Sequence, residues 1–341
     1  MTDQQSEVER QISRTEEQSA KSRGRAESRP AGGSAEAIAS GLEFLFSRRH
    51  QAAWSLGRQF IQESAPWVTA YVLARLGEIP AQHLSFTQRQ KIEESLDWLM
   101  QARTLNGGWT FSGASSSRPG TPDDADSTAW AVTALRQHGR RVPQDAFDLI
   151  QRCRRADGGF GMHPESNAMA SAADVTAIAV RALSAIDAAS SEFLAAHLRT
   201  DVENRHGRIS SAFFVSSTLM DWEPCMAPWF VVNAVRQWVE QQETEGAWEQ
   251  ALLLRCRMRL RLQSAWPQAV GLRRLQRQNG SWPGSARLTV VHAEGRGSDV
   301  HRDEHFDEDG VLATVTALSA LAIGDLQPGL YFGSDLPFRR L

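Results

Sequence analysis

From Ala37 onward the chain alternates between two kinds of apolar pattern. In one, Ala, Thr, Val and Leu fill almost every position: Thr128-Ala129-Trp130-Ala131-Val132-Thr133-Ala134-Leu135 is the clearest run, and Thr176 to Leu183 and Thr314 to Leu318 repeat it. A helix that is apolar around most of its circumference is a buried helix. In the other, apolar residues fall three and four apart among charges, as in Lys91 to Gln101, which predicts a helix with one wet face. Leu254 to Leu262 alternates Leu, Cys and Met with Arg255, Arg257, Arg259 and Arg261, a period of two. Leu, Met and Arg favour helix and no turn residues bracket the run, so it too is assigned to helix, with the arginines on a wet face or, alternatively, meeting a diphosphate or anionic lipid heads. No convincing strand pattern competes. The expectation is an all-α fold in which buried helices form an inner ring and half-exposed helices surround them.

The alternation is an internal repeat. A basic or glutamine-bearing helix end, a Gly-rich turn and an aromatic recur as Gln51…Trp54, Gln101…Gly107-Gly108-Trp109, Arg155…Gly158-Gly159-Phe160 and Gln278-Asn279-Gly280-Ser281-Trp282. A Thr-Ala helix follows each, at Thr69-Ala70, Thr128-Ala129, Thr176-Ala177 and Thr314. A degenerate fifth copy, Ala227-Pro228-Trp229-Phe230-Val231, matches Ala65-Pro66-Trp67-Val68-Thr69. The long gap before Thr314 holds a polar stretch, Arg287 to Glu308, whose acidic run Asp303 to Asp309 reads as a solvated loop, with a magnesium site for a diphosphate as the alternative. His292, His301 and His305 in that stretch are expected to face solvent.

Composition narrows the partners. Residues 1–34 are rich in Gln, Ser, Glu, Arg and Gly, which predicts a disordered tail ahead of a single domain at 35–341. The 341-residue chain carries 37 basic and 40 acidic residues, so nothing points to nucleic acid. Three cysteines, Cys153, Cys225 and Cys256, are far apart and form no CxxC, which fits a reducing compartment and a cytoplasmic, at most membrane-peripheral, protein. Eleven tryptophans against two tyrosines suit a cavity lined by π-faces without phenols, or simply a core filled by indoles.

The chemistry-bearing stretch is Asp124-Ala125-Asp126-Ser127-Thr128-Ala129. Two carboxylates two residues apart beside buried aromatics resist joint ionisation, so one of them can hold a proton at neutral pH. Such an acid in an apolar cavity can protonate a carbon–carbon double bond. Two other readings stay open. Asp123 and Asp124 before an apolar helix are what a helix N-cap requires. Asp123-Asp124-Ala125-Asp126 also approximates a metal-binding cluster for a diphosphate, one residue short of the usual spacing and with no second metal motif downstream.

Together the repeats and the acid motif resemble the squalene–hopene cyclase and class II terpene cyclase superfamily, over roughly Ala37 to Ile323. The resemblance implies an α/α barrel of about six helix pairs. It implies that Asp126 donates the proton, that Asp124 orients it, and that His163, after Gly158-Gly159-Phe160-Gly161-Met162, hydrogen-bonds the donor. Where the family's signature has a third aspartate this chain has Ser127, which keeps a hydroxyl and loses a charge. Trp67, Tyr71, Trp109, Phe111, Trp130, Trp229 and Phe306 are the candidate cavity wall, about half of them expected to face the lumen. The implied substrate is a linear polyprenyl chain. No cofactor is implied, and Mg2+ enters only with a prenyl diphosphate. The related protein prenyltransferase β subunits need an Asp, Cys, His zinc set; Ser127, Thr128 and Trp130 follow the aspartates here and Val311-Leu312-Ala313 stands where the histidine would be, so zinc is not expected. Against the enzyme stand two rivals: a helical toroid that binds a prenyl chain or a protein without chemistry, and an ionisation-type synthase.

Overall fold

The computed structural model describes residues 33–56, 66–111, 123–164, 171–203, 236–293 and 300–325. Trp229, the degenerate fifth copy, Cys225 and nearly all of the expected tail lie outside them. Five helices are half-wet: α1 (Ser34–Ser47), α3 (Phe86–Gln101), α5 (Gln144–Arg152), α7 (Ala188–Glu203) and α9 (Ala265–Arg274). Five others are buried: α2 (Pro66–Leu76), α4 (Ala125–Gln137), α6 (Ala173–Leu183), α8 (Ala247–Arg259) and α10 (Val311–Asp325). The buried set packs in the order α8, α10, α2, α4, α6, and each half-wet helix lies outside it. This is the all-α toroid. Helix α3 shows how the outer set is written: Ser85 and Gln88 form a capping box, and only Ile92, Ser95, Leu96 and Leu99 are buried, one face at three- and four-residue spacing.

The repeat has a physical cause. Each turn aromatic donates its backbone N–H to the threonine of the next inner helix: Trp54 to Thr69 (3.1 Å), Trp109 to Thr128 (3.1 Å), Phe160 to Thr176 (2.9 Å) and Trp282 to Thr314 (3.0 Å). The three tryptophans also donate their indole N–H to the end of the preceding outer helix, at the carbonyls of Leu45, Leu99 and Leu272 (2.9, 2.7 and 2.7 Å). Phe160 cannot do this and carries the threonine bond alone. Trp109, expected in the cavity wall, is therefore a fully buried tie between α3 and α4. Ahead of each aromatic the backbone must turn left-handed, and Gly158 and Gly280 do so at φ +86°. A Cβ on Gly158 would sit 2.4 Å from the Ala189 carbonyl carbon on α7, and one on Gly280 would sit 2.1 Å from the Ser40 carbonyl oxygen on α1. The glycine turns thus pack on the next outer helix, and the last of them packs on the first helix, which joins the C-terminal repeat to the N-terminal one.

The glutamine of the fourth copy is Gln276, not Gln278. Its amide donates to the carbonyls of Ala37 and Gly280 and to Ser40 Oγ (2.8, 3.0 and 3.0 Å). The equivalent residues four before Gly107 and Gly158 are Arg103 and Arg154, which pair with Asp145 and Asp187 next door.

Two expectations are overturned. The stretch 287–306 is an antiparallel hairpin, β1 (Arg287–Ala293) and β2 (Val300–Phe306), rather than a loop. Directly after it, Asp307 is buried and caps α10, accepting from the Ala313 N–H at 2.8 Å. The arginines of α8 also do not form a wet face. Arg257 is buried and donates to the carbonyls of Val239 and Gln242. Arg255 is fully buried and reaches Glu78 just beyond α2, at 2.7 Å. Arg75 and Arg181 reach the same carboxylate at 3.1 and 3.2 Å, and Ser319 of α10 donates to it at 2.5 Å. Four inner helices are thereby tied together toward their C-terminal ends, where carbonyl dipoles favour guanidinium charge. Among the described residues no helix is long and apolar enough to cross a membrane.

Candidate active site

The acid motif opens α4, at the opposite end of the barrel from Glu78. Its three aspartates point three ways. Asp123 accepts from Thr104 Oγ1 (2.6 Å) and the Gly108 N–H (3.1 Å), fixing the turn ahead of Trp109. Asp124 is the N-cap, accepting at Oδ1 from the Ser127 N–H (2.6 Å) and at Oδ2 from the Ser127 hydroxyl (2.8 Å). Both donors of Ser127 are thus spent on orienting Asp124. Asp126, inside the first turn, accepts from the Trp67 indole N–H at 2.6 Å through Oδ2. Its other oxygen, Oδ1, is buried and has no hydrogen-bond partner among the described residues. The three carboxylates have separate partners, and among the described residues they are not gathered into one cluster.

Burial drives the electrostatics. It pushes the Asp124 carboxyl up to about 6, against the stabilising Ser127 N–H and the nearby His163 charge. Burial raises Asp126 well above the ordinary carboxylate range, and the charges of Asp174 and Asp124 add to it; the indoles of Trp67 and Trp130 oppose it more weakly. Asp174 is not among the residues the acid motif assigns to the site, though the repeat register marks it: it stands two residues before Thr176 as Asp126 stands two before Thr128.

His163 does reach the motif, but on a different partner from the one expected. Its Nδ1 donates to the Asp123 carbonyl at 3.1 Å, and its charge bears on Asp124. The Met162 carbonyl beside it accepts from the Ala125 N–H at 2.8 Å, so this segment is docked on the start of α4.

An aromatic ladder adjoins the acid. Trp67 stacks on Tyr71 with ring centroids 5.5 Å apart, Tyr71 meets the Trp130 ring edge-on at 4.8 Å, and Phe111 lies 6.0 Å from Trp67. The Tyr71 hydroxyl is satisfied by Thr316 Oγ1 at 2.7 Å, so this phenol offers a face and no free polar group. Trp67, Tyr71, Phe111 and Trp130 are therefore brought together, with Trp67 and Trp130 meeting Asp126. Phe306 is not: it is 46% exposed at the end of β2. Side chains alternate across a strand, and its neighbour His305 is the one turned inward, 5.1 Å from Phe111.

Sequence comparison alone assigns nothing: no family model matches the chain, and no curated protein matches it by sequence. The fold does have solved counterparts. The type II terpene cyclase MstE from Scytonema superposes with a TM-score of 0.63 at 18% identity, covering 85% of this chain and 97% of that one. A single-substitution variant of the same cyclase gives 0.65 at 17% identity. The ent-copalyl diphosphate synthase from Streptomyces platensis gives 0.50 at 18% identity, over 76% of this chain and half of that one. The chain has the type II terpene cyclase fold.

Proposed function

We propose that this protein is a protonation-initiated terpene or meroterpenoid cyclase in which Asp126 is the acid. The observation that carries the reading is the Asp126 carboxyl: its Oδ1 is buried with no hydrogen-bond partner among the described residues, its proton is retained well above the ordinary range, and it adjoins the indoles of Trp67 and Trp130. A carboxylic acid in this state holds a hydrogen that an alkene can take. A linear polyprenyl chain placed with its terminal alkene, or an epoxide derived from it, at Oδ1 would take that proton. The O–H bond breaks as a C–H or epoxide O–H bond forms, and the cation is attacked by the next alkene to close a ring. The neighbouring ring faces hold the charge, and exclusion of water protects it until a proton is lost at the end. Asp124, locked by both donors of Ser127, supplies a second negative field that keeps the proton on Asp126 until an alkene is in place. The protonation step calls for no metal.

Purified protein offered farnesyl, geranylgeranyl and squalene-type substrates, with and without a terminal epoxide, should yield cyclised products. The Asp126→Asn variant should yield none above background. Equal turnover by the variant would refute the assignment.

A further inference from the structure

The hairpin that precedes α10 breaks the rule by which a strand lying on a core is usually written. Its register sets Leu288 opposite His305, and the Asp307 N–H donates to the Ala286 carbonyl at 3.1 Å, which extends the pairing by one step. Alternation puts Ala286, Leu288, His305 and Asp307 on one face. Ala286 and Asp307 are buried and Leu288 packs on the core, so this face is the inward one. His305 therefore points at the barrel, its ring 5.1 Å from Phe111, while Phe306 is left exposed on the other face. Burial alone would choose the reverse, phenylalanine inside and imidazole outside. A local rule broken beside a candidate acid points to chemistry.

Contacts lead from His305 back to that acid. Phe111 lies 6.0 Å from Trp67, and the Trp67 indole donates to Asp126 at 2.6 Å. Asp126, Phe111 and His305 each keep part of their surface exposed, so a ligand reaches this side of the mouth without opening the packed core. A cation made at Asp126 is steadied on the face of Phe111. The next ring along is an imidazole, which near neutral pH accepts a proton through one nitrogen while the other keeps a partner.

We infer that His305 is the base that ends the reaction. This rests on the proton-acid reading above and supplies its closing step. A ring nitrogen of neutral His305 takes a proton from the carbon next to the cationic centre. The C–H bonding pair becomes the C=C bond and quenches the charge. The imidazolium returns its proton to water, and water reprotonates Asp126, so one proton enters and one leaves per turnover.

The test offers geranylgeranyl and squalene-type chains, with and without a terminal epoxide, to wild type, Asp126→Asn, His305→Phe, His305→Ala and Phe306→Ala. Products are identified by gas chromatography–mass spectrometry, and melting temperatures are recorded alongside. In His305→Phe, which keeps a ring against Phe111, the share of the wild-type olefin should fall by about tenfold or more, replaced by alcohols from water capture and by isomeric olefins. Substrate consumption should stay within about threefold of wild type, because protonation precedes this step. Imidazole added to His305→Ala should restore most of the wild-type olefin, a readout that a packing role does not move. Phe306→Ala, on the outward face, should keep the wild-type profile. Unchanged products in both His305 variants, with Asp126→Asn inactive, overturn the base and leave the acid standing. A shift in His305→Ala that imidazole does not reverse, or an equal shift in Phe306→Ala, assigns the effect to the shape of the hairpin and also overturns the base. Full activity in Asp126→Asn, or no conversion by wild type, overturns both.

Discussion

At the mouth of the barrel, Asp126 takes one hydrogen bond, from Trp67, and leaves Oδ1 bare; at the far end, Glu78 takes on Arg75, Arg181, Arg255 and Ser319. Both carboxyls are enclosed by inner helices of the same ring. They differ in what surrounds them. Aromatic rings and two other carboxylates face Asp126, and they favour its neutral form. Guanidiniums face Glu78 and pair with it. The same side-chain chemistry thus meets opposite surroundings at the two ends of the ring, with α2 running between them.

Substitutions should split along that line. The largest effect is expected at the mouth on activity: Asp126→Asn should cost about 10²- to 10⁴-fold in turnover, the range of a lost general acid, with stability at neutral pH unchanged or raised. At the far end the loss falls on stability. Glu78→Ala leaves buried guanidiniums without their shared carboxylate and should cost about 3–5 kcal/mol in urea unfolding. If Glu78→Ala keeps full stability, the two ends are not built differently.

Next comes Asp307, a buried carboxyl raised from 3.8 to about 6 by burial despite three backbone donors. A folded-state value above the unfolded one means that the folded form prefers the proton. Its contribution is complete below the unfolded value and is lost as pH rises through 6. Asp307→Asn, which keeps a capping oxygen, should gain on wild type by about 2–3 kcal/mol between pH 4 and pH 8. Unfolding curves at the two pH values check this; a pH-independent difference would count against it. Smaller again is Thr128→Val, which strips the acceptor from the Trp109 N–H and should cost about 1–2 kcal/mol without changing the product ratio. The smallest effect is none at all: EDTA should leave conversion of an uncharged polyprenyl substrate unaltered, and inhibition by the chelator would favour the ionisation-type rival.

How much of this was readable in the residues varies by feature. The repeat was legible because its parts have backbone reasons: a left-handed turn wants glycine, and a buried N–H wants the threonine hydroxyl. The register was legible only to within two residues, since Gln276 and Gln278 both precede Gly280 and only packing on α1 distinguishes them. The aspartates supported a cap and an acid at once; the cap is Asp124, and Asp126, free of that duty, is left for the proposed acid. The arginines of α8 misled because their partners are remote: Glu78 lies 177 residues before Arg255, and a carbonyl cluster at 239–242 leaves no pattern in side chains. The hairpin was hidden because β2, Val300-His301-Arg302-Asp303-Glu304-His305-Phe306, is charged along most of its length, so its pairing with β1 has no apolar alternation to announce it.

The threonine and tryptophan ties have a consequence for change over time. They run between backbone groups and residues outside the lumen, so the frame of the ring does not depend on which side chains face inward. Side chains that take no part in these ties can change while the hoop holds. A chain of this kind can wander far from its counterparts in composition and still close at Gln276. It is also a promising starting point for directed evolution, since libraries confined to the inner face leave the fastenings alone.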